Sequence, residues 1–105
     1  DTPMTIADGA RTLHVSELTF QYLKKLDGFY EVPEDRIIYW TQWLQHLLKI
    51  TVEPTSAMAM AAAYEWLKTQ KTRQHVLVIL SGGNVGAAAH RQIWEKDYLD
   101  QPPKL

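Results

Sequence analysis

The stretch that most limits what this chain can become is HVLVILSGGNVGAAAH, His75 to His90: an apolar run that stops at a serine, two glycines and an asparagine, then turns alanine-rich. Val76, Leu77, Val78, Ile79 and Leu80 are continuous rather than alternating, include three β-branched residues and are too few to favour a helix. The pattern predicts a strand covered on both faces, the usual state of a parallel strand in an α/β protein. Ser81, Gly82 and Gly83 then read as a turn, because paired glycines admit positive φ and let another group approach the backbone closely. Asn84 is placed to cap a helix that starts near Val85 and runs through Ala87, Ala88, Ala89, Ile93 and Trp94. A turn at the carboxyl end of a buried strand, facing a helix N-terminus, is where ligands bind in open α/β sheets. A Gly-Gly turn is also common as a turn and nothing more, so the rest of the chain has to supply the argument.

Upstream, helices alternate with extended pieces. Ser16 can cap a helix through Glu17, Leu18, Phe20, Tyr22, Leu23 and Leu26, with Lys24 and Lys25 late and Asp27-Gly28 ending it. A short extended piece spans Phe29 to Val32, and Pro33 fits the first turn of the next helix, beside Glu34 and Asp35. Ile37, Ile38, Leu44, Leu47 and Leu48 supply that helix with a buried stripe, widened by Tyr39, Trp40 and Trp43. Aromatic residues so arranged more often form core or a subunit contact than a ligand box. Glu53 precedes Pro54, which holds Glu53 extended and opens a helix from Thr55 or Ser56 onward. Ala57, Met58, Ala59, Met60, Ala61, Ala62 and Ala63 put small or flexible residues on nearly every side, as expected of a helix packed beside a sheet. The Glu53-Pro54 helix start and the Ser81 to Asn84 turn are thus two candidate pocket edges, separated by one helix. Gln101 to Leu105, with two prolines, reads as a flexible tail.

Composition excludes several classes. The 105 residues amount to one small domain, and 46% hydrophobic residues mark it as globular. Eleven basic and 12 acidic residues, mixed along the chain to a net charge of −1, give no footprint for nucleic acid or an anionic membrane. There is no long apolar span and no secretory leader. With no cysteine there is neither a disulfide framework nor thiolate chemistry, which is compatible with the cytoplasm. The histidines at 14, 46, 75 and 90 lack metal-ligand spacing and read as surface or boundary residues, so no metal is expected. No phosphate loop, paired carboxylates or Ser/His/Asp arrangement appears.

TIADGARTL (Thr5 to Leu13), ELTF (Glu17 to Phe20), VEPTSAMAMAAA (Val52 to Ala63) and LVILSGGNV (Leu77 to Val85), in this order and spacing, resemble the C-terminal third of the pyridoxal-phosphate-dependent threonine/serine dehydratases and serine racemases. The resemblance implies an α/β fold of alternating helices and parallel strands, part of the large cofactor domain of the tryptophan-synthase-β-like fold, called fold type II. It implies that residues 1–105 are an incomplete catalytic domain, an expectation that suits a sequence beginning at Asp1 rather than methionine. Ser81 would hydrogen-bond the pyridine nitrogen of pyridoxal 5'-phosphate, Gly82 and Gly83 would let the backbone approach the ring, and Glu53 would be a further pocket residue. Lys49 and Asn84 match positions that contact a nucleotide effector in some members.

The Schiff-base lysine, the asparagine that stacks on the ring and the glycine-rich loop for the cofactor phosphate belong to the part upstream. Lys24, Lys25, Lys49, Lys68, Lys71, Lys96 and Lys104 sit in no matching motif, so no catalytic residue is expected in this segment. Three positions depart from the family pattern: Ser56 stands where glycine or alanine is common, Gly86 where an acidic or amide residue often follows SGGNV, and Pro33 where a Ser/Thr cap is usual. The implied activity is removal of water and then ammonia from a β-hydroxy amino acid, by a complete enzyme that is a homodimer, with the 105 residues alone inactive. Two alternatives stand beside it. One is another fold type II activity, such as serine racemisation or β-replacement. The other is a non-catalytic ligand- or partner-binding module whose contact face carries Trp40 and Trp43.

Overall fold

The computed structural model of the chain describes residues 4–10 and 16–104. The expectation for His14 therefore lies outside the described residues, as does the last residue of the tail. A 3₁₀ turn over Asp8–Ala10 is followed by four helices: α1 (Glu17–Leu23), α2 (Glu34–Leu48), α3 (Pro54–Lys68) and α4 (Ala87–Ile93).

Each helix start has a local cause. Ser16 caps α1 as expected, its hydroxyl accepting the Thr19 N–H at 3.1 Å. Pro33 and Glu53 are both extended, with ψ of 150° and 153°, and the chain turns helical immediately after each. Pro54 is the first helical residue of α3, where a missing N–H costs nothing. The start of α4 differs from expectation. Gly86, not Asn84, occupies the cap position, with no side-chain cap bond, and the helix begins at Ala87.

The core lies between α2 and α3. Tyr39, Trp40, Trp43 and Leu44 of α2 pack with Val52, with Ala57 and Ala61 of α3, and with Tyr98 beyond α4. The alanines admit the indoles and phenols close to the α3 backbone, and Tyr39 meets Trp40 and Tyr98 edge-on at 5.3 and 5.9 Å. Ile6, Ala7, Ile37 and Ile93 form a second cluster that binds the first turn and α4 to the other side of α2. Trp40 and Trp43 thus belong to the interior, which overturns the contact face assigned to them; the stripe also ends early, since Leu47 and Leu48 are exposed.

Gln42 is the polar pin of this core. Its side chain donates to the carbonyls of Ile93 and Lys96 at 2.7 and 2.5 Å and accepts the Tyr98 N–H at 2.9 Å. The terminal segment is tied as well: the Tyr39 and Tyr64 hydroxyls donate to the carbonyls of Gln101 and Lys104, both at 2.6 Å.

No strand forms among the described residues, and none of the expected parallel strands is seen. Residues 76–80 run without regular pairing, with Leu77 88% and Ile79 71% exposed, and Phe29 and Tyr30 are likewise exposed. The physical reason is that a strand is stable only through neighbours that take up its N–H and C=O groups. No ladder partner for this run exists among the described residues. The alanines of α3 tell the same story: Ala57 and Ala61 are buried against α2, while Ala59 is exposed.

Candidate functional site

The connection from α2 to α3 brings the two pocket edges together. Lys49 closes α2 in the left-handed conformation, φ 59° and ψ 33°, its N–H donating to the Gln45 carbonyl. That conformation, unusual for a residue with a side chain, turns the chain sharply into Thr51, Val52 and Glu53. Val52 is buried and its carbonyl accepts from the Gln45 side chain at 2.9 Å, which fixes the path of the connection.

The irregular segment Ser81–Gly83, after the apolar run, docks onto this path. The Gly82 carbonyl accepts the Glu53 N–H at 3.2 Å and the Ser56 hydroxyl at 3.1 Å, and the Gly82 N–H donates back to the Ser56 oxygen at 3.0 Å. A Cβ on Gly82 would lie 2.5 Å from Glu53 Oε1, and one on Gly83 would strike the Thr51 carbonyl oxygen. Residues 81–86 form neither a turn nor a bend and neither glycine has a positive φ, so the turn expected at Ser81–Gly83 does not form. The glycines are required because the chain itself, through Glu53 and Thr51, occupies the space a side chain would fill.

Glu53 and the Ser81–Gly83 segment are therefore one structural unit. Ser81 is exposed at its edge, with no hydrogen-bond partner for its hydroxyl among the described residues. Asn84 and Lys49 are exposed, and among the described residues no hydrogen bond joins them. His46, His75 and His90 are exposed. No group of three or more metal-ligating side chains is found among the described residues. None of their helices is long and apolar enough to cross a membrane.

Sequence reasoning missed Ser56 and Thr51 as parts of this unit. Ser56 is 2% exposed and fully hydrogen-bonded. The signal available is a lone hydroxyl in a run of alanines and methionines, at a position that departs from the family pattern. The Thr51 contact is through the backbone and left no trace in residue type.

Residues 1–82 match the family described as pyridoxal-phosphate dependent enzyme. The serine racemase of Schizosaccharomyces pombe is 40% identical over 86 residues, 81% of this chain and 26% of that protein. The L-threo-3-hydroxyaspartate ammonia-lyase of Saccharomyces cerevisiae is 37% identical over 86 residues, again 81% and 26%. The serine racemase of Dictyostelium discoideum is 40% identical over 93 residues, 87% of this chain and 28% of that protein. The chain belongs to the pyridoxal-phosphate dependent enzymes, in their fold type II branch. It spans about a quarter of the length of these relatives.

The residues present fit one edge of that cofactor. An exposed, neutral hydroxyl at Ser81, next to a backbone pinned by three hydrogen bonds, suits a pyridine nitrogen, with which it can act as donor or acceptor.

Proposed function

We propose that this chain is the C-terminal part of a pyridoxal-phosphate-dependent dehydratase, or ammonia-lyase, acting on a small β-hydroxy amino acid such as serine, threonine or 3-hydroxyaspartate. The observation that carries the reading is the docking of the Ser81–Gly83 segment on Glu53 and Ser56, with Ser81 exposed at its edge. The relatives' names point the same way, since serine and 3-hydroxyaspartate both carry a hydroxyl on the β-carbon.

Pyridoxal phosphate supplies, when bound, the electron-withdrawing ring that acidifies the substrate α-carbon. The chain's own contribution is the ring-nitrogen side of the pocket. Ser81 presents a hydroxyl rather than a carboxylate, so it does not force a proton onto the ring nitrogen, and the ring stays a moderate electron sink suited to elimination. Glu53, held against Gly82, walls the same side. Lys49 and Asn84, exposed beside the unit, are the residues through which a nucleotide effector would act. The remaining walls, with the lysine that exchanges the α-proton, come from the upstream part of the same enzyme, a homodimer when complete.

The test is release of ammonia and a 2-oxo acid from L-serine, L-threonine and L-threo-3-hydroxyaspartate. It uses the protein that carries this chain, loaded with cofactor, beside the 105 residues alone. Turnover by the first and none by the second is expected. Turnover by the 105 residues, or none of the three substrates consumed by the loaded protein, would end this reading. A second reading, racemisation, is favoured by two 40% identical relatives being named serine racemase. D-serine formation faster than pyruvate formation from L-serine would select it.

A further inference from the structure

We infer that Ser56 is a positioning residue for the cofactor ring: its hydroxyl clamps the Gly82 peptide and thereby sets where Ser81 presents its own. The inference rests on the reading of Ser81 as the ring-nitrogen contact.

The argument is geometric. Gly82, as a glycine, has wide backbone freedom to lose, and Ser56 holds it at both ends, accepting from its N–H at 3.0 Å and donating to its carbonyl at 3.1 Å. Those two atoms flank the φ and ψ rotations of Gly82, so a single hydroxyl fixes both. The Gly82 N–H also lies in the planar peptide unit that contains the Ser81 Cα and carbonyl. Holding that N–H orients the plane from which the Ser81 side chain departs. The Ser56 oxygen is itself immobile. It is buried in the first turn of α3, where its own N–H donates to the Glu53 carbonyl at 3.0 Å. An alanine or glycine at this position could pack, but would leave the Gly82 N–H without a side-chain acceptor and Ser81 free to swing with its peptide. A chain with serine at this position therefore holds its ring contact more rigidly than one without.

The experiment measures equilibrium binding of pyridoxal phosphate, and of its analogue with CH in place of the ring nitrogen, to the apoprotein that carries this chain. Ser56→Ala, Ser81→Ala and the double variant are compared with wild type. Ser81→Ala is expected to weaken pyridoxal phosphate by about three- to tenfold, the span of one hydrogen bond, and to leave the analogue unchanged. Ser56→Ala should show the same selectivity and add nothing to Ser81→Ala, whereas Ser56→Thr, which keeps the hydroxyl, should restore wild-type discrimination. A merely structural role would weaken both compounds alike and add to Ser81→Ala, which overturns the inference while leaving the Ser81 reading intact. If Ser81→Ala itself fails to discriminate, the Ser81 reading falls and takes the inference with it. Independently of any cofactor, amide exchange at Gly82 should accelerate in Ser56→Ala and not in Ser81→Ala; an unchanged Gly82 rate refutes the clamp.

Discussion

Gly82 and Gly83 are adjacent and identical, yet what surrounds them makes them unequal. A Cβ on Gly82 meets the Glu53 carboxylate, the free end of a side chain that can swing aside. A Cβ on Gly83 meets the Thr51 carbonyl, which is backbone and cannot move without dragging the α2–α3 connection. Overpacking against fixed atoms costs about 1–3 kcal/mol. Gly83→Ala should therefore destabilise by that amount in urea unfolding and Gly82→Ala by clearly less, with Glu53→Ala relieving the second and not the first. Equal losses would show that the carboxylate is as immobile as the carbonyl. A second residue-scale expectation concerns Tyr39, whose hydroxyl pKa is pushed up chiefly by burial, partly offset by the nearby Arg36 guanidinium and reinforced by Tyr64. A folded-state value above the unfolded one means the native state holds its proton longer. The contribution is complete below about pH 10, the ordinary tyrosine value, and is lost as pH rises through the raised value. Tyr39→Phe should flatten the alkaline fall in unfolding free energy; a fall of unchanged steepness would assign it to other groups.

At the scale of elements, what could be read in advance was whatever is locally determined. Pro33 and Pro54 fix the starts of α2 and α3, and Ser16 caps α1, because these effects act within a turn of the chain. The run at residues 76–80 failed as a strand for the opposite reason. Its β-branched, continuous apolar character reports on burial between neighbours, and neighbours are not local. The candidate site divides along the same line. That Glu53 and the paired glycines are candidate edges was legible from Pro54 and the Gly-Gly pair, whereas the bonds by which they meet, the Ser56 clamp and the Thr51 carbonyl required knowledge of which atoms face which. Gln42 is the non-local element contact most open to test, since its one side chain satisfies three backbone groups, at Ile93 ending α4 and at Lys96 and Tyr98 beyond it. Gln42→Leu keeps the bulk but strands those groups, at a cost of about 3 kcal/mol. Amide exchange at Tyr98 should accelerate well before that in α3, because the segment from Ile93 onward loses its anchor while the α2–α3 core persists. A uniform acceleration would mean that α4 and the core unfold as one unit.

Across the whole molecule the surface is larger than a self-sufficient domain of this mass would show. The chain exposes 7971 Å², whereas a compact monomer of 12.1 kDa exposes about 6,000 Å². Its radius of gyration is 14.6 Å, against about 13 Å for a compact domain of this length. The excess is partly apolar, with Leu77, Ile79, Phe29 and Tyr30 all in solvent. Under the proposed function the rest of the enzyme covers Leu77 and Ile79, which gives the same substitutions opposite signs in two settings. In the 105 residues alone, Leu77→Lys and Ile79→Lys remove exposed apolar area, so concentration-dependent association and dye binding at apolar surface should both fall. In the protein that carries this chain the same lysines would be forced into an interior, and loss of soluble, folded protein is expected. A non-catalytic module that keeps this surface open to solvent predicts the same benign outcome in both settings. Sedimentation of the isolated chain and expression of the whole protein, each with and without the two lysines, therefore separate a domain that awaits its remaining walls from one that stands alone.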